Sequence, residues 1–145
     1  MDIALGLAEK SLKNGDVPIG AVIVRGYDII GKGYNKVEKN ANATKHAEII
    51  AINEAIKTTG YKHLIDCTLY VTLEPCPMCA GAIVLSRLKT VIFGAYDPKA
   101  GAGGSILNLL NNAQLNHRCE VYGGFLEERC SSMITHFFKD LRRNK

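Results

Sequence analysis

Length, composition and charge narrow the class of this chain before any motif is considered. Its 145 residues suit a single domain spanning residues 1–145, and a hydrophobic content of 47% excludes a largely disordered chain. No apolar run is long enough to predict a membrane span, and the first residues lack the pattern of a signal peptide. The net charge of +4 permits a nucleic-acid partner without requiring one.

The first part of the chain predicts a helix followed by a β-hairpin. Apolar residues at three- and four-residue spacing indicate a helix over residues 2–14. Two runs rich in branched apolar residues, 17–24 and 29–34, predict strands, and residues 25–28 between them suit a hairpin turn.

Two glycines and an asparagine distinguish the second of these strands. Gly31 and Gly33 weaken a strand intrinsically, so packing or the close approach of another backbone must hold it. Asn35 ends the strand, and an asparagine in that place is most often a turn residue.

The next helix carries a histidine and a glutamate near its start. The apolar positions predict a helix over residues 44–59, with Thr44 as its N-cap. His46 and Glu48 then lie in the first turn. Residues two apart diverge in the middle of a helix, but at its start the histidine can lean towards a metal while the glutamate reaches a cavity.

A buried strand and a further helix follow. Residues 68–73 alternate as a strand does, and residues 77–88 predict a helix with Pro77 at its first position, where proline is favoured. Cys76 and Cys79 share one face at the start of this helix, and its positive end favours their thiolate forms.

Two more strands, residues 90–95 and 119–122, are predicted on either side of a glycine-rich loop. This loop, residues 100–105, lacks the Lys-Ser/Thr ending of a phosphate-binding P-loop, so binding of a nucleoside triphosphate is not expected. Residues 106–112 are predicted to form a short helical segment.

A closing helix over residues 126–141 has a clear amphipathic pattern, and its apolar stripe is expected to pack into the core. The stripe consists of Cys130, Met133, Ile134, Phe137, Phe138 and Leu141. The chain ends in a basic segment, residues 139–145, which is either a solvated helix end or an RNA contact.

The five cysteines bear on the cellular compartment. An odd count in a chain without a secretion signal indicates reduced thiols and a cytoplasmic location. Cys67, Cys119 and Cys130 are then expected to be small buried residues.

Strands that alternate with helices predict a layered α/β fold. The five predicted strands form a central mixed sheet, of which the first two strands are an antiparallel hairpin. No repeat, linker or low-complexity segment divides the chain.

The strongest functional signal is the pair of motifs His46-Ala47-Glu48 and Pro75-Cys76-Pro77-Met78-Cys79. One imidazole and two thiolates supply three zinc ligands and leave the fourth tetrahedral position for water. An open position indicates catalysis, because water bound there becomes a nucleophile near neutral pH. The glutamate is suited to carry the protons that such a reaction moves, and the combined pattern is that of the zinc nucleobase deaminases.

The two cysteines also permit other interpretations. A C-x-x-C pair can be a redox site, and three ligands can belong to a structural metal. The prolines that flank Cys76 and the upstream H-x-E motif favour catalytic zinc, because a redox pair needs neither.

Several longer segments resemble the bacterial tRNA-specific adenosine deaminases. The similarity covers nearly the whole chain, including the pair Phe137-Phe138. The zinc motif alone is shared with cytidine, guanine and dCMP deaminases, whereas the region after Ile92 separates this family from them. The matching segments are VPIGAV at 17–22, HAEI at 46–49, TLYVTLEPCPMCAGA at 68–82, FGAYDPK at 93–99 and NHR at 116–118.

This resemblance implies a three-layer α/β/α cytidine-deaminase-like fold, a homodimer, and conversion of the wobble adenosine to inosine in a tRNA anticodon loop, expected to be that of an arginine tRNA. It implies one zinc ion per subunit, held by His46, Cys76 and Cys79, with Glu48 as the proton shuttle. It further implies that Asn35 contacts the flipped-out nucleotide. The implied anticodon-loop contacts are Asp97, Lys99, His117 and Arg142. Lys45 departs from the small residue usual in the family before the metal-binding histidine.

Two other functions are compatible with the motifs. A guanine or nucleoside deaminase of salvage metabolism would use the same zinc chemistry on a free substrate. A non-catalytic zinc protein that only binds RNA would need the three ligands but not Glu48, and this carboxylate therefore argues against it.

Overall fold

The computed structural model describes residues 1–144, which form a mixed five-stranded sheet. The strands are β1 (Gly20–Arg25), β2 (Asp28–Tyr34), β3 (Cys67–Leu73), β4 (Thr90–Ala95) and β5 (Glu120–Tyr122). They lie in the order β2-β1-β3-β4-β5. β1 is antiparallel to β2 and β3, whereas β3 and β4, and β4 and β5, are parallel. The predicted mixed sheet is confirmed.

Helices cover both faces of this sheet. They are α1 (Asp2–Lys13), α2 (Val37–Asn40), α3 (Ala47–Thr59), α4 (Pro77–Leu85) and α5 (Glu127–Arg143). Successive residues of β1 point to opposite faces. Ile23 packs with Ala51 of α3 and Ile83 of α4, whereas Val22 packs with Leu7 of α1. α5 lies against β4 on the same side as α1, which completes the predicted three-layer α/β/α arrangement.

Gly31 and Gly33 on β2 allow α3 to approach the sheet closely. A β-carbon at Gly33 would overlap the carbonyl oxygen of Ala47, and one at Gly31 would overlap the backbone of the next helical turn. The sequence predicted that packing or the close approach of another backbone holds this strand, and the backbone that approaches it is the one of α3. Because Ala47 opens this helix, the contact fixes how far the helix start lies from the sheet.

We expect Gly33→Ala to lower the free energy of unfolding by about 1–3 kcal/mol, as overpacking does when a methyl group enters a filled space. Gly6→Ala is the control, because its added methyl group on α1 meets open space. This control should not lower the free energy of unfolding, and it should raise it by up to about 1 kcal/mol because alanine favours a helix more than glycine does. Urea denaturation measures both values, and equal stabilities would contradict the packing role of Gly33.

The start of α3 differs from its prediction. The helix begins at Ala47 with His46 as its N-cap, three residues into the predicted span, and Thr44 is not the cap. The Oδ1 atom of Asn42 accepts hydrogen bonds from the backbone N–H and hydroxyl of Thr44, at 2.9 and 2.7 Å. This local turn delays the helix and leaves the histidine at its entrance.

Three segments after residue 36 also depart from prediction. α2 is a short helix for which the sequence predicted no element. α4 ends at Leu85 instead of residue 88, because Arg87 adopts a left-handed conformation with φ 61°. The helix predicted over residues 106–112 is wrong: the N–H groups of Ile106 and Leu107 donate to the carbonyl oxygen of Gly101, at 2.9 and 3.1 Å, so this segment folds back on the glycine-rich loop.

The thiols outside the metal motif are buried as predicted, since Cys67, Cys119 and Cys130 are each 2% exposed or less. The apolar stripe of α5 is only partly core. Cys130 is buried, whereas Phe138 and Leu141 are 40% and 45% exposed. Within residues 1–144, no helix has the length and apolar character needed to cross a membrane.

Candidate active site

His46, Cys76 and Cys79 come together in space. The Nδ1 atom of His46 lies 3.6 Å from Sγ of Cys76 and 3.5 Å from Sγ of Cys79, and the three ligand atoms all lie within 4.8 Å of one another. Zinc–nitrogen and zinc–sulfur bonds of about 2.1 and 2.3 Å at tetrahedral angles separate a nitrogen ligand from a sulfur ligand by about 3.6 Å. The three donors therefore fit one tetrahedral metal ion, and among residues 1–144 no fourth donor joins them, so its last position is left to a non-protein ligand.

Two helix starts position these donors. His46 is the N-cap of α3 and Cys76 is the N-cap of α4, while Cys79 lies in the first turn of α4 after Pro77. Neither N-cap makes a side-chain capping hydrogen bond among the described residues. The imidazole and the thiol contact each other instead, and the positive ends of two helices lie beside the sulfur atoms.

The three donors also influence one another's protonation. A hydrogen bond from the Cys79 thiol, assisted by His46, lowers the pKa of Cys76 to about 4. The same bond raises the pKa of Cys79, and the bond to Cys76 raises the pKa of His46. Because His46 contacts both sulfur atoms, the arrangement favours a metal site over a simple dithiol redox pair. A bound metal would replace the shared protons, since metal ligands bind in deprotonated form.

Glu48 is a buried carboxyl group in the first turn of α3. Its residue is only 4% exposed, and burial raises its pKa to about 7. It is not one of the three clustered donors within residues 1–144, although it interacts with the Cys79 side chain. A carboxyl group that exchanges protons near neutral pH is suited to general acid–base catalysis.

Asn35 borders a cavity of about 650 Å³ that also reaches His46. Its side-chain amide donates to the carbonyl oxygen of Val17 at 3.2 Å, and the Ser11 hydroxyl donates to its backbone carbonyl at 2.9 Å. The Oδ1 atom is buried without a hydrogen-bond partner among the described residues. A buried acceptor in this state is costly unless a ligand satisfies it, and the cavity has the size of a small-molecule site.

Asp97, Lys99 and Arg142 line a neighbouring cavity of about 520 Å³. Both cavities are bordered by Val17 and Phe138, so they adjoin at these residues. Asp97 also has a local role, because its Oδ1 accepts hydrogen bonds from the N–H groups of Lys99 and residue 100, at 3.0 and 3.1 Å.

His117 lies apart from the other predicted contacts. It lines a third cavity, of about 430 Å³, with Asp66 and Lys89, which directly precede β3 and β4, and with Glu120, the first residue of β5. Its Nε2 atom is 2.6 Å from the carbonyl oxygen of Leu88. Asp97 lies just beyond the last residue of β4, whereas His117 lies near the first residues of the parallel strands. The two residues are therefore at opposite ends of these strands. Its RNA contact stays a prediction.

Sequence reasoning assigned the end of α5 to the core and so missed a wall of the candidate site. Phe137, Phe138 and Leu141 line the cavity that contains Asn35 and His46. The sequence position of these residues could have indicated this wall. They lie where the apolar stripe enters the basic end of the helix, and a face beside several charges is more often solvent-exposed than buried in a core.

Comparisons with known proteins agree with this fold and this site. The family model of the MafB19-like deaminases matches residues 1–142. The tRNA-specific adenosine deaminase of Bacillus subtilis is 49% identical over 145 residues, which cover 100% of this chain and 90% of that protein. The chain belongs to this deaminase family, and its full-length similarity places it among the tRNA-specific adenosine deaminases.

Solved structures support the same placement. A tRNA:A34 deaminase, from work on A-to-I editing at the wobble position of transfer RNA, aligns with a TM-score of 0.87 at 37% identity and covers 92% of this chain and 96% of that chain. The guanine deaminase of Nitrosomonas europaea aligns with a TM-score of 0.81 over 94% of this chain and 81% of that chain. Its identity is only 21%, so this second likeness shows the fold alone.

Proposed function

We propose that this protein hydrolytically deaminates the wobble adenosine of a tRNA anticodon loop to inosine, and that its substrate is an arginine tRNA. The observation that carries the proposal is the buried carboxyl group of Glu48 beside a donor set that leaves one metal position open. Full-length similarity to proteins named tRNA-specific adenosine deaminase supports an adenosine of a tRNA as the substrate.

Zinc is the metal that we propose for the site, one ion per subunit, held by His46, Cys76 and Cys79. Two thiolates and an imidazole at these separations suit its ligand preference and tetrahedral geometry. When bound, the ion supplies Lewis-acid activation of a water molecule at neutral pH.

Glu48 performs the proton transfers in this proposal. Its carboxylate accepts a proton from the attacking water as the oxygen adds to C6 of adenine, and it delivers a proton to N1 of the ring. It then takes the remaining proton from the hydroxyl group now on C6 and passes it to the exocyclic nitrogen, which leaves as ammonia as the C6–N bond breaks and the C6 carbonyl forms. Burial raises the pKa of Glu48 to about 7, so the carboxyl group can both accept and donate a proton at the same pH.

The residues around the cavity are suited to hold a flipped-out nucleotide. The unsatisfied Oδ1 of Asn35 can accept a hydrogen bond from the base or ribose. Phe137 and Phe138 offer aromatic surface for stacking, and Lys99 and Arg142 place positive charge near the phosphates. An anticodon loop is already single-stranded, so its base leaves the stack at low cost.

The charge of α5 gives a test of the RNA contact. We expect Arg142→Gln to weaken binding of an anticodon stem-loop and to reduce the slope of log affinity against log salt by about 0.7, the value for one phosphate contact with a single strand. Arg118→Gln is the control, because it removes the same charge from the cavity that contains His117, at the opposite end of the parallel strands. A salt series by fluorescence anisotropy measures both slopes. Equal changes in the two slopes would extend the RNA-binding surface to the cavity that contains His117. An unchanged slope for Arg142→Gln would show that Arg142 does not contact the RNA.

We also propose a homodimer that buries an exposed face of α4. The helix sequence, PMCAGAIVL, contains no charged residue, and helices that are apolar all round are normally buried. Ile83 faces the core, but Leu85 is 76% exposed and Met78 is 37% exposed. An uncharged face suits a second copy of the chain better than RNA. Leu85→Glu should therefore yield monomers in sedimentation velocity, and an unchanged dimer would exclude this face as the interface.

The proposed substrate also determines the location that we infer, which is the cytoplasm. The cysteines at positions 67, 119 and 130 are free and buried, which suits a reducing compartment.

Deamination of an arginine-tRNA anticodon stem-loop with adenosine at the wobble position tests the function, with free guanine, adenosine and cytidine in parallel. We expect inosine at that position and no turnover of the free compounds. Ammonia release from guanine or a nucleoside would instead keep the chemistry but move the protein to salvage metabolism.

A further inference from the structure

Glu74 is a buried carboxylate that the reaction described above does not use. It follows β3 directly and lies two residues before Cys76 in the chain. The residue is 2% exposed, and its backbone N–H donates to the carbonyl oxygen of Ala95 at 2.8 Å. A carboxylate at this depth is costly unless several hydrogen bonds satisfy it, so its partners indicate what it does.

All four hydrogen bonds to this carboxylate come from one loop, residues 97–105. Its Oε1 accepts from the N–H of Asp97 at 3.0 Å and from the hydroxyl of Ser105. Its Oε2 accepts from the N–H groups of Gly103 and Ser105, both at 3.0 Å. The glycine-rich sequence in this loop therefore surrounds a carboxylate of the protein, which explains its glycines without a bound phosphate.

The shape of the loop depends on close approach to Glu74. A β-carbon at Gly101 would overlap the Glu74 carboxyl group. The N–H of Ala102 donates to the carbonyl oxygen of Pro75 at 2.8 Å. The loop is thus bonded to two consecutive residues that immediately precede the metal donor Cys76.

The same loop carries two side chains of the candidate RNA site. Asp97 and Lys99 line the cavity that adjoins the one containing Asn35 and His46. Because Asp97 donates its N–H to Glu74 and accepts from the N–H of Lys99, the place of both residues is set relative to the carboxylate.

We propose that Glu74 is a positioning residue that joins the metal-binding turn to the RNA-binding wall of the cavity. Within residues 1–144, Glu74 is neither one of the clustered metal donors nor a lining residue of the cavity, and it acts through its hydrogen bonds to the loop at residues 97–105. The RNA part of this inference rests on the proposed function, whereas the anchoring of the loop does not.

Two substitutions disturb the anchor from opposite sides. Glu74→Gln removes the charge and replaces one acceptor oxygen by an NH₂ group, which then faces the N–H donors of the loop. Gly101→Ala pushes the loop away from Glu74 without changing any hydrogen-bonding group. We expect each to raise the KM for the stem-loop about tenfold and to change kcat less than about threefold, with zinc content unchanged. The double variant should show less than the product of the two effects, because both displace one loop.

Amide hydrogen exchange tests the anchor, meaning the hydrogen bonds between Glu74 and the loop at residues 97–105, without requiring catalytic turnover. The amides of Asp97, Gly103 and Ser105 should exchange at least about tenfold faster in both variants than in the wild type, and those of the control Gly6→Ala should not. If Glu74→Gln fails to fold, Gly101→Ala and Ser105→Ala provide the same comparison, the second through loss of a single bond.

The outcomes separate this inference from the proposed function. A wild type that does not deaminate the stem-loop refutes the function, while exchange of the loop amides still decides the anchor. Unchanged exchange rates overturn the anchor. Faster exchange with an unchanged KM, or with a loss of kcat or zinc instead, overturns the link to RNA binding.

Discussion

Glu48→Gln should lower kcat for the anticodon stem-loop by about 10³-fold or more while zinc and the fold are retained. Proton transfer by a positioned group contributes about 10²–10⁴-fold, and this one carboxyl group is assigned both transfers. Glutamine has nearly the same shape but cannot exchange a proton. Single-turnover kinetics with saturating enzyme measure the chemical step, and metal analysis of the same sample measures zinc.

Glu54→Gln is the matched control for this substitution. Glu54 lies on the same helix, α3, but is exposed, so its replacement should leave kcat and zinc content unchanged. If turnover survives in Glu48→Gln, the proposed mechanism is wrong whatever the substrate. If zinc is lost instead, the carboxyl group belongs to the metal site and is not a separate proton carrier.

Cys76→Ala should remove zinc and with it both activity and stability. Two donors bind the ion far more weakly than three, and metal binding that requires the folded chain contributes directly to folding. We expect the melting temperature of the wild type to rise with added zinc and that of Cys76→Ala to be insensitive to it. Metal analysis after gel filtration, together with thermal denaturation across a zinc series, measures both effects.

Cys119→Ala separates the loss of a ligand from the loss of a buried thiol. Cys119 is 2% exposed and is not part of the donor cluster within residues 1–144. Its replacement should lower stability by about 1 kcal/mol through lost packing, with zinc content unchanged. Equal zinc loss in the two variants would contradict the assigned ligand role of Cys76.

The mixed sheet with its antiparallel hairpin and the three donors could be anticipated from the sequence, because both follow from local patterns. The hairpin at residues 25–28 fixes how β1 and β2 pair. A C-x-x-C motif at a helix start brings its two cysteines together on one face of the first turn. The details that failed depend on particular side-chain contacts that hydrophobic periodicity does not reveal. Thr44 is an acceptable N-cap by type, but the Asn42 side chain engages it in a turn, so the helix begins at His46.

The role of an apolar stripe cannot be determined from its periodicity alone. Cys130 and Phe138 belong to the same stripe of α5, yet the first is core and the second borders the candidate substrate cavity. Likewise, His117 belongs to a segment that resembles the family, but it lies where the parallel strands begin, whereas Asp97 lies beyond the end of β4. The burial of Glu74 could not be predicted from the sequence, because a lone glutamate before a proline has no signature of burial.

The lack of capping side chains at the starts of α3 and α4 links metal supply to local order. An ordinary N-cap residue stabilises a helix by about 1 kcal/mol, and His46 and Cys76 provide no such bond among the described residues. With zinc bound as proposed, the ion would take the place of these caps and hold the two helix starts together. In metal-starved cells, newly made chains would keep the sheet but fray at these two entrances, where a protease could cut before the enzyme ever became active.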